Sequence, residues 1–122
     1  MLQGNFFTIT DINIEPGVAK AVLQISAAHE IFNGHFPGTP VVPGVCMMQM
    51  IKEVLENVIG KETKLVRADH MKFLTVINPK ENKMIQFDAK YTIAESKKIS
   101  VIASLFNNST IYFKFKGLLI VK

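Results

Sequence analysis

The side chains with reactive potential are few: His29, His35, His70 and a single cysteine, Cys46. Imidazole is the side chain best matched to proton transfer near neutral pH, so the histidines are the first candidates for acid–base work. Three histidines without carboxylates or cysteines at ligand spacing do not read as a metal site. A lone Cys46 forms no internal disulfide. As a nucleophile it would need exposure and a nearby base, and only His35 lies close in sequence; otherwise it reads as a small buried apolar residue on a helix. His35 differs from the other histidines in its surroundings. It stands in Gly34-His35-Phe36-Pro37-Gly38-Thr39-Pro40-Val41-Val42-Pro43-Gly44, where three X-Pro bonds fall within seven residues. Such a run resists both helix and central strand, so Ala27 to Pro43 reads as a stiff loop. Stiff loops on a rigid scaffold are good places for chemistry. Taken alone, His35 reads more readily as a loop histidine satisfied by a backbone carbonyl.

The elements around this loop follow from hydrophobic period. Phe6 to Ile14 and Val18 to Ser26 read as two strands joined at Glu15-Pro16-Gly17, a turn in which proline supplies its fixed φ and glycine follows. From Gly44 to Ile59 the step changes to three and four residues (Val45, Met48, Gln49, Lys52, Leu55, Glu56, Ile59), which predicts one helix of about four turns closed by Gly60. Its first half, Val45 to Ile51, is apolar almost all round, which predicts burial on most sides. Lys64 to Leu74, Lys83 to Ile93, Lys97 to Phe106 and Ile111 to Val121 read as strands, with turns at Asn78 to Asn82, Glu95-Ser96 and Asn107 to Ser109. Two strands, one buried helix and four further antiparallel strands make an α+β layout, a curled sheet around a central helix.

Composition sets outer limits. With 122 residues, 48% of them hydrophobic, the expectation is one domain over 1–122 with a real core. The longest apolar runs are too short to cross a bilayer, and Met1 to Asn5 lacks the basic start and apolar stretch of a signal peptide. No membrane insertion and a cytoplasmic location are therefore expected. The formal charge of +4 favours an acidic partner by long-range steering. The lysines and arginines are scattered along the chain rather than gathered with aromatics, so nucleic acid is not the expected partner.

The loop and helix start together carry a resemblance. From Gly34 to Val45 the chain matches the pattern G-H-F-P-G-x-P-x-x-P-G-V at every fixed position, and it resembles the active-site loop of the bacterial 3-hydroxyacyl-[acyl carrier protein] dehydratases. The similarity runs more weakly through Lys72-Phe73 and Asn78-Pro79 into the final strands. It implies the hot-dog fold and removal of water from a 3-hydroxyacyl thioester to give a 2-enoyl thioester, in fatty acid or related lipid or polyketide biosynthesis. It also implies an acyl carrier protein as partner and no cofactor. In that family the histidine of the motif handles the C2 proton, a role that falls to His35. Backbone N–H groups at the helix start hold the thioester oxygen, a role that falls to Gly44 and Val45. Both fit the chemistry, because removing a proton beside a thioester builds negative charge on its oxygen, and free N–H groups backed by the helix dipole suit that charge. In that family the site lies across a dimer interface. A homodimer, a trimer of dimers and a heterodimer with a related hot-dog subunit all agree with the resemblance. Val41, Val42, Val45, Met47, Met48 and Phe36 would suit an acyl tunnel, or serve as ordinary core.

One position departs from the family. Fourteen residues after the histidine, those dehydratases carry a glutamate or aspartate that acts on the leaving hydroxyl of the partner protomer's substrate. Here the position is Gln49, and an amide hydrogen-bonds a hydroxyl without being able to protonate it. Five readings stay open. His35 moves the proton from C2 to the hydroxyl while Gln49 positions it; Glu53, on the same helix face, reaches the site through water; a different chain pairs with this one and supplies the missing carboxylate; the chain is an acyl thioesterase; or it is a non-catalytic subunit of a hetero-oligomeric dehydratase or a binding module.

Overall fold

Alternation of apolar and polar side chains builds the sheet. In the computed structural model, which describes residues 2–33 and 41–122, β1 (Phe7–Glu15) and β2 (Val18–Ile25) form the expected hairpin. Along β2, Ala19, Ala21, Leu23 and Ile25 are buried while Lys20 and Gln24 face water, the two-residue period of a half-buried strand. Gly17 makes the turn with φ of 73°, a region that costs glycine nothing.

The helix α1 runs over Gly44–Ile59, as the spacing predicts, and Gly60 closes it in the left-handed conformation, donating its N–H to the Glu56 carbonyl at 2.9 Å. Met47, Met50, Ile51, Val54 and Leu55 are buried against the sheet. Burial is less complete than the apolar first half suggests. Val45 is 77% exposed and Met48 and Gln49 are only partly covered. One side of the helix therefore lies beyond the reach of the chain's own sheet.

The remaining strands are β3 (Thr63–Phe73), β4 (Met84–Ile93), β5 (Lys98–Asn107) and β6 (Thr110–Val121). The sheet order is β1-β2-β4-β5-β6-β3, with every neighbouring pair antiparallel. After the helix the chain thus fills the far edge first and crosses back to the middle. Ile85, Phe87, Ile99, Leu105, Phe113, Phe115 and Leu119 cover the helix from the inner face of the sheet. This is the α+β hot-dog arrangement, one helix against a curled antiparallel sheet. Among the described residues of the loop the structure adds a 3-10 turn, Glu30–Asn33. It forms because Phe32 turns inward against Phe6, with ring centroids 5.6 Å apart.

Two surface features follow from the register. Lysines scattered in sequence converge on the outer face: Lys20, Asp88, Ser104, Lys114 and Lys72 form one row across five strands, and Val18, Lys90, Ile102, Lys116 and His70 form the next. Lys114 and Lys72 stand directly opposite each other, an arrangement that costs stability by itself. Among the described residues the ion pairs are Lys52–Glu56 and Arg67–Asp69, neither of which neutralises these rows. The other feature is the edge. β3 has one side unpaired, and Leu65, Val66, Met71 and Phe73 are exposed along it.

Candidate functional site

At the start of α1 the capping leaves backbone donors without an acceptor among the described residues. Pro43 occupies the N-cap with extended backbone and no side-chain cap; its carbonyl accepts from the N–H groups of Cys46 at 3.0 Å and Met47 at 3.2 Å. Among the described residues nothing accepts from the N–H of Gly44 or Val45. No acidic side chain lies in the first turn to compete for them. Two free N–H groups at the positive end of a four-turn helix suit a developing oxyanion.

Gly44 is held close to an aromatic wall. A β-carbon there would lie 2.9 Å from Cε1 of Phe73, and the Phe73 ring in turn stacks on Phe113 with centroids 4.6 Å apart. Sequence reasoning named the Lys72-Phe73 pair only as part of a weak likeness. The register of β3 against β6, which pairs Phe73 with Phe113, gives it a place beside the helix start. Gly44→Ala is expected to push this ring aside with little change in thermal midpoint, since a half-exposed ring can move; a melting curve would check it.

Gln49 projects from the same uncovered side of the helix as Val45, four residues earlier. Its amide is not free: Nε2 donates to Oε2 of Glu53 at 2.9 Å. Glu53 is 3% exposed and also accepts from the backbone N–H groups of Leu2, at 2.9 Å to each oxygen, and Gln3, at 2.8 Å. The idea that Glu53 reaches substrate through water therefore fails, because both of its oxygens are already engaged inside the protein. The spacing of Gln49 and Glu53 was legible as a shared helix face. The other partners were not, since they come from the chain start some fifty positions away.

His35 lies outside the described residues, as does Phe36. The other histidines are placed. His29 accepts the Ile31 N–H at Nδ1, 3.1 Å away, and meets the edge of Phe6; His70 is exposed on the outer face of β3. Cys46 is buried, and burial pushes its thiol pKa upward, away from nucleophilic use. Of the apolar residues around the helix start, Val42 and Met47 are ordinary core at 3% exposure each, Val41 and Met48 are partly covered, and Val45 is free to meet another molecule. Among the described residues no group of histidine, cysteine and carboxylate side chains is placed to hold a metal, and no helix is long and apolar enough to cross a membrane.

Comparison with known proteins agrees with this layout. A family model described as ApeI-like, ApeI dehydratase, matches residues 11–110. The 3-hydroxyacyl-[acyl-carrier-protein] dehydratase FabZ of Fusobacterium nucleatum is 30% identical over 76 residues, covering 58% of this chain and 54% of its own, so the match spans about half of that relative's length. The same enzyme of Wolbachia pipientis wMel is 29% identical over 102 residues, 77% of this chain and 71% of its own. In fold, the chain is similar to the dehydratase heterocomplex ApeI:P from Xenorhabdus doucetiae, with a TM-score of 0.63, 17% identity and coverage of 90% and 95% of the two chains.

Proposed function

The chain belongs to the ApeI-like dehydratase family, and on that premise we propose that it acts as a 3-hydroxyacyl-[acyl carrier protein] dehydratase. The observation that carries the reading is the helix start, where the N–H groups of Gly44 and Val45 have no acceptor among the described residues and Gly44 lies against Phe73. In the proposed reaction the thioester oxygen accepts from these donors. His35 takes the C2 proton as charge builds on that oxygen. The C3–O bond then breaks, and the imidazolium returns the same proton to the departing hydroxyl, so that water leaves and the enoyl thioester remains. Gln49 holds the hydroxyl without supplying a proton, and its absent acidity is offset by this single-histidine relay.

A dimer is the smallest unit that this reading needs. The unpaired apolar edge of β3 and the uncovered helix side bearing Val45, Met48 and Gln49 both suit a second hot-dog chain. The partner supplying substrate is an acyl carrier protein, an acidic protein that matches the lysine rows of the outer face, and a cytoplasmic location goes with it. Lys72 ends one of these rows and is adjacent in sequence to Phe73, which touches the helix start. Reversing two charges with Lys72→Glu and Lys114→Glu should raise KM for a carrier-bound substrate about tenfold and leave the KM of a pantetheine thioester unchanged. Equal KM changes for both substrates would remove the carrier from this face.

A second reading, a non-catalytic subunit of a hetero-oligomeric dehydratase, is favoured by Gln49 itself and by the likeness in fold to a heterocomplex. Product analysis separates the readings. Purified chain given 3-hydroxybutyryl carrier protein should yield the enoyl thioester, followed by its absorbance. Free thiol would instead identify a thioesterase. Tight carrier binding with neither product would identify the non-catalytic subunit.

A further inference from the structure

Glu53 is a carboxyl side chain buried between α1 and the chain start, and among the described residues it makes no ion pair. Four N–H contacts surround its carboxylate, from Leu2 to both oxygens, from Gln3 and from the Gln49 amide. Backbone N–H groups only donate, so both Glu53 oxygens are fixed as acceptors. An amide facing such a group has one orientation: Nε2 turns inward and the carbonyl Oε1 is carried to the far side. A glutamine with no such neighbour is free to flip and to offer either end. We propose that Glu53 is a positioning residue that locks Gln49 with its carbonyl oxygen toward the substrate, so that the site selects an acyl chain whose C3 substituent donates a hydrogen bond.

The inference rests on the dehydratase reading for the place of Gln49 beside C3, and it adds what that site discriminates. A 3-hydroxyl gives its hydrogen to Oε1, and its lone pairs are then turned away from Gln49, toward the group that must protonate them. A 3-keto group has only lone pairs to offer and meets oxygen with oxygen. The locked amide thus favours the 3-hydroxyacyl substrate over its oxidised counterpart, because a polar group left facing a like acceptor loses its hydrogen bond. The backbone ties to Leu2 and Gln3 hold the carboxylate from behind, so the first residues of the chain belong to the same device.

The test is a binding ratio that needs no turnover. Calorimetry with 3-hydroxybutyryl-pantetheine and acetoacetyl-pantetheine should show wild-type protein preferring the hydroxy compound about tenfold or more. Glu53→Gln keeps its oxygen on the Leu2 and Gln3 N–H groups and turns its NH2 to Gln49, so Gln49 shows Nε2 to the substrate and the preference should be lost or reversed, whatever happens to the thermal midpoint. Gln49→Ala leaves the Glu53 contacts to Leu2 and Gln3 in place and should also abolish the preference, with Glu53→Gln adding nothing further in that background. A wild-type protein without preference, or variants that keep it, would overturn the inference; a melting change alone would leave Glu53 as an anchor for the chain start. Preference without enoyl formation would instead count against the dehydratase reading and leave the positioning role standing.

Discussion

Gln49→Glu is expected to raise the dehydration rate by about 10²–10⁴, the usual contribution of a placed general acid. The substitution keeps the length and branching of the side chain and changes one atom. That atom is the Nε2 that now reaches Glu53 at 2.9 Å, so the introduced carboxyl would meet the Glu53 carboxylate at hydrogen-bonding distance. Two carboxyl groups that close do not both ionise. They share a proton, and the introduced carboxyl can give it to the departing hydroxyl near neutral pH once its O–H turns from Glu53 toward the substrate. The same proton sets the pH profile, because activity gained through it should fall as pH rises and the pair loses it. Enoyl absorbance across pH, with wild type alongside, measures both effects. A variant no faster than wild type at any pH would mean that His35 supplies the only proton the reaction uses.

Gly117→Ala is expected to lower folding stability by about 3 kcal/mol, at the high end for overpacking. Gly117 is buried in the middle of β6, opposite Val101 on one side and Ala68 on the other. The ring of Phe115 lies over it, and an added β-carbon would fall 2.5 Å from Phe115 Cζ and still closer to the Arg67 carbonyl oxygen. Neither neighbour yields cheaply. Phe115 is 1% exposed, and Arg67 is backbone in a stretch of β3 where the register already shifts on both sides. Gly60→Ala provides the contrast: a β-carbon there meets nothing within 4 Å, and only the φ of 72° opposes it, at about 1 kcal/mol. Urea unfolding midpoints of the two variants should differ accordingly. Equal midpoints would show that the β3–β6 seam opens readily.

The contrast between these glycines reflects what could be read from the sequence. Gly60 was legible as a helix terminator because capping is local, as were the helix from Gly44, the hairpin at Pro16-Gly17 and the strand segments, all within a residue or two. Gly117 gave no signal, since its reason is a ring from two residues earlier and a carbonyl from another strand. Long-range pairing was equally hidden. No local pattern places β3 beside β6 and not β4, and for that reason lysines that looked scattered gather into rows only once the register is set. At the site, Pro43-Gly44 announced a helix start by chemistry that proline and glycine carry anywhere. The engagement of Glu53 by Leu2 and Gln3 depends on where the chain start is laid down, and spacing along α1 could not supply it.

The central claim, that this chain abstracts the C2 proton with His35 while Gly44 and Val45 hold the thioester oxygen, is tested most directly by enoyl formation from 3-hydroxybutyryl carrier protein. Wild type and His35→Ala should be run at equal concentration, with matching melting curves. Turnover by wild type with a loss of about 10²–10⁴ in His35→Ala is the predicted result. Wild-type turnover that survives His35→Ala, or no enoyl product from either protein, would contradict it.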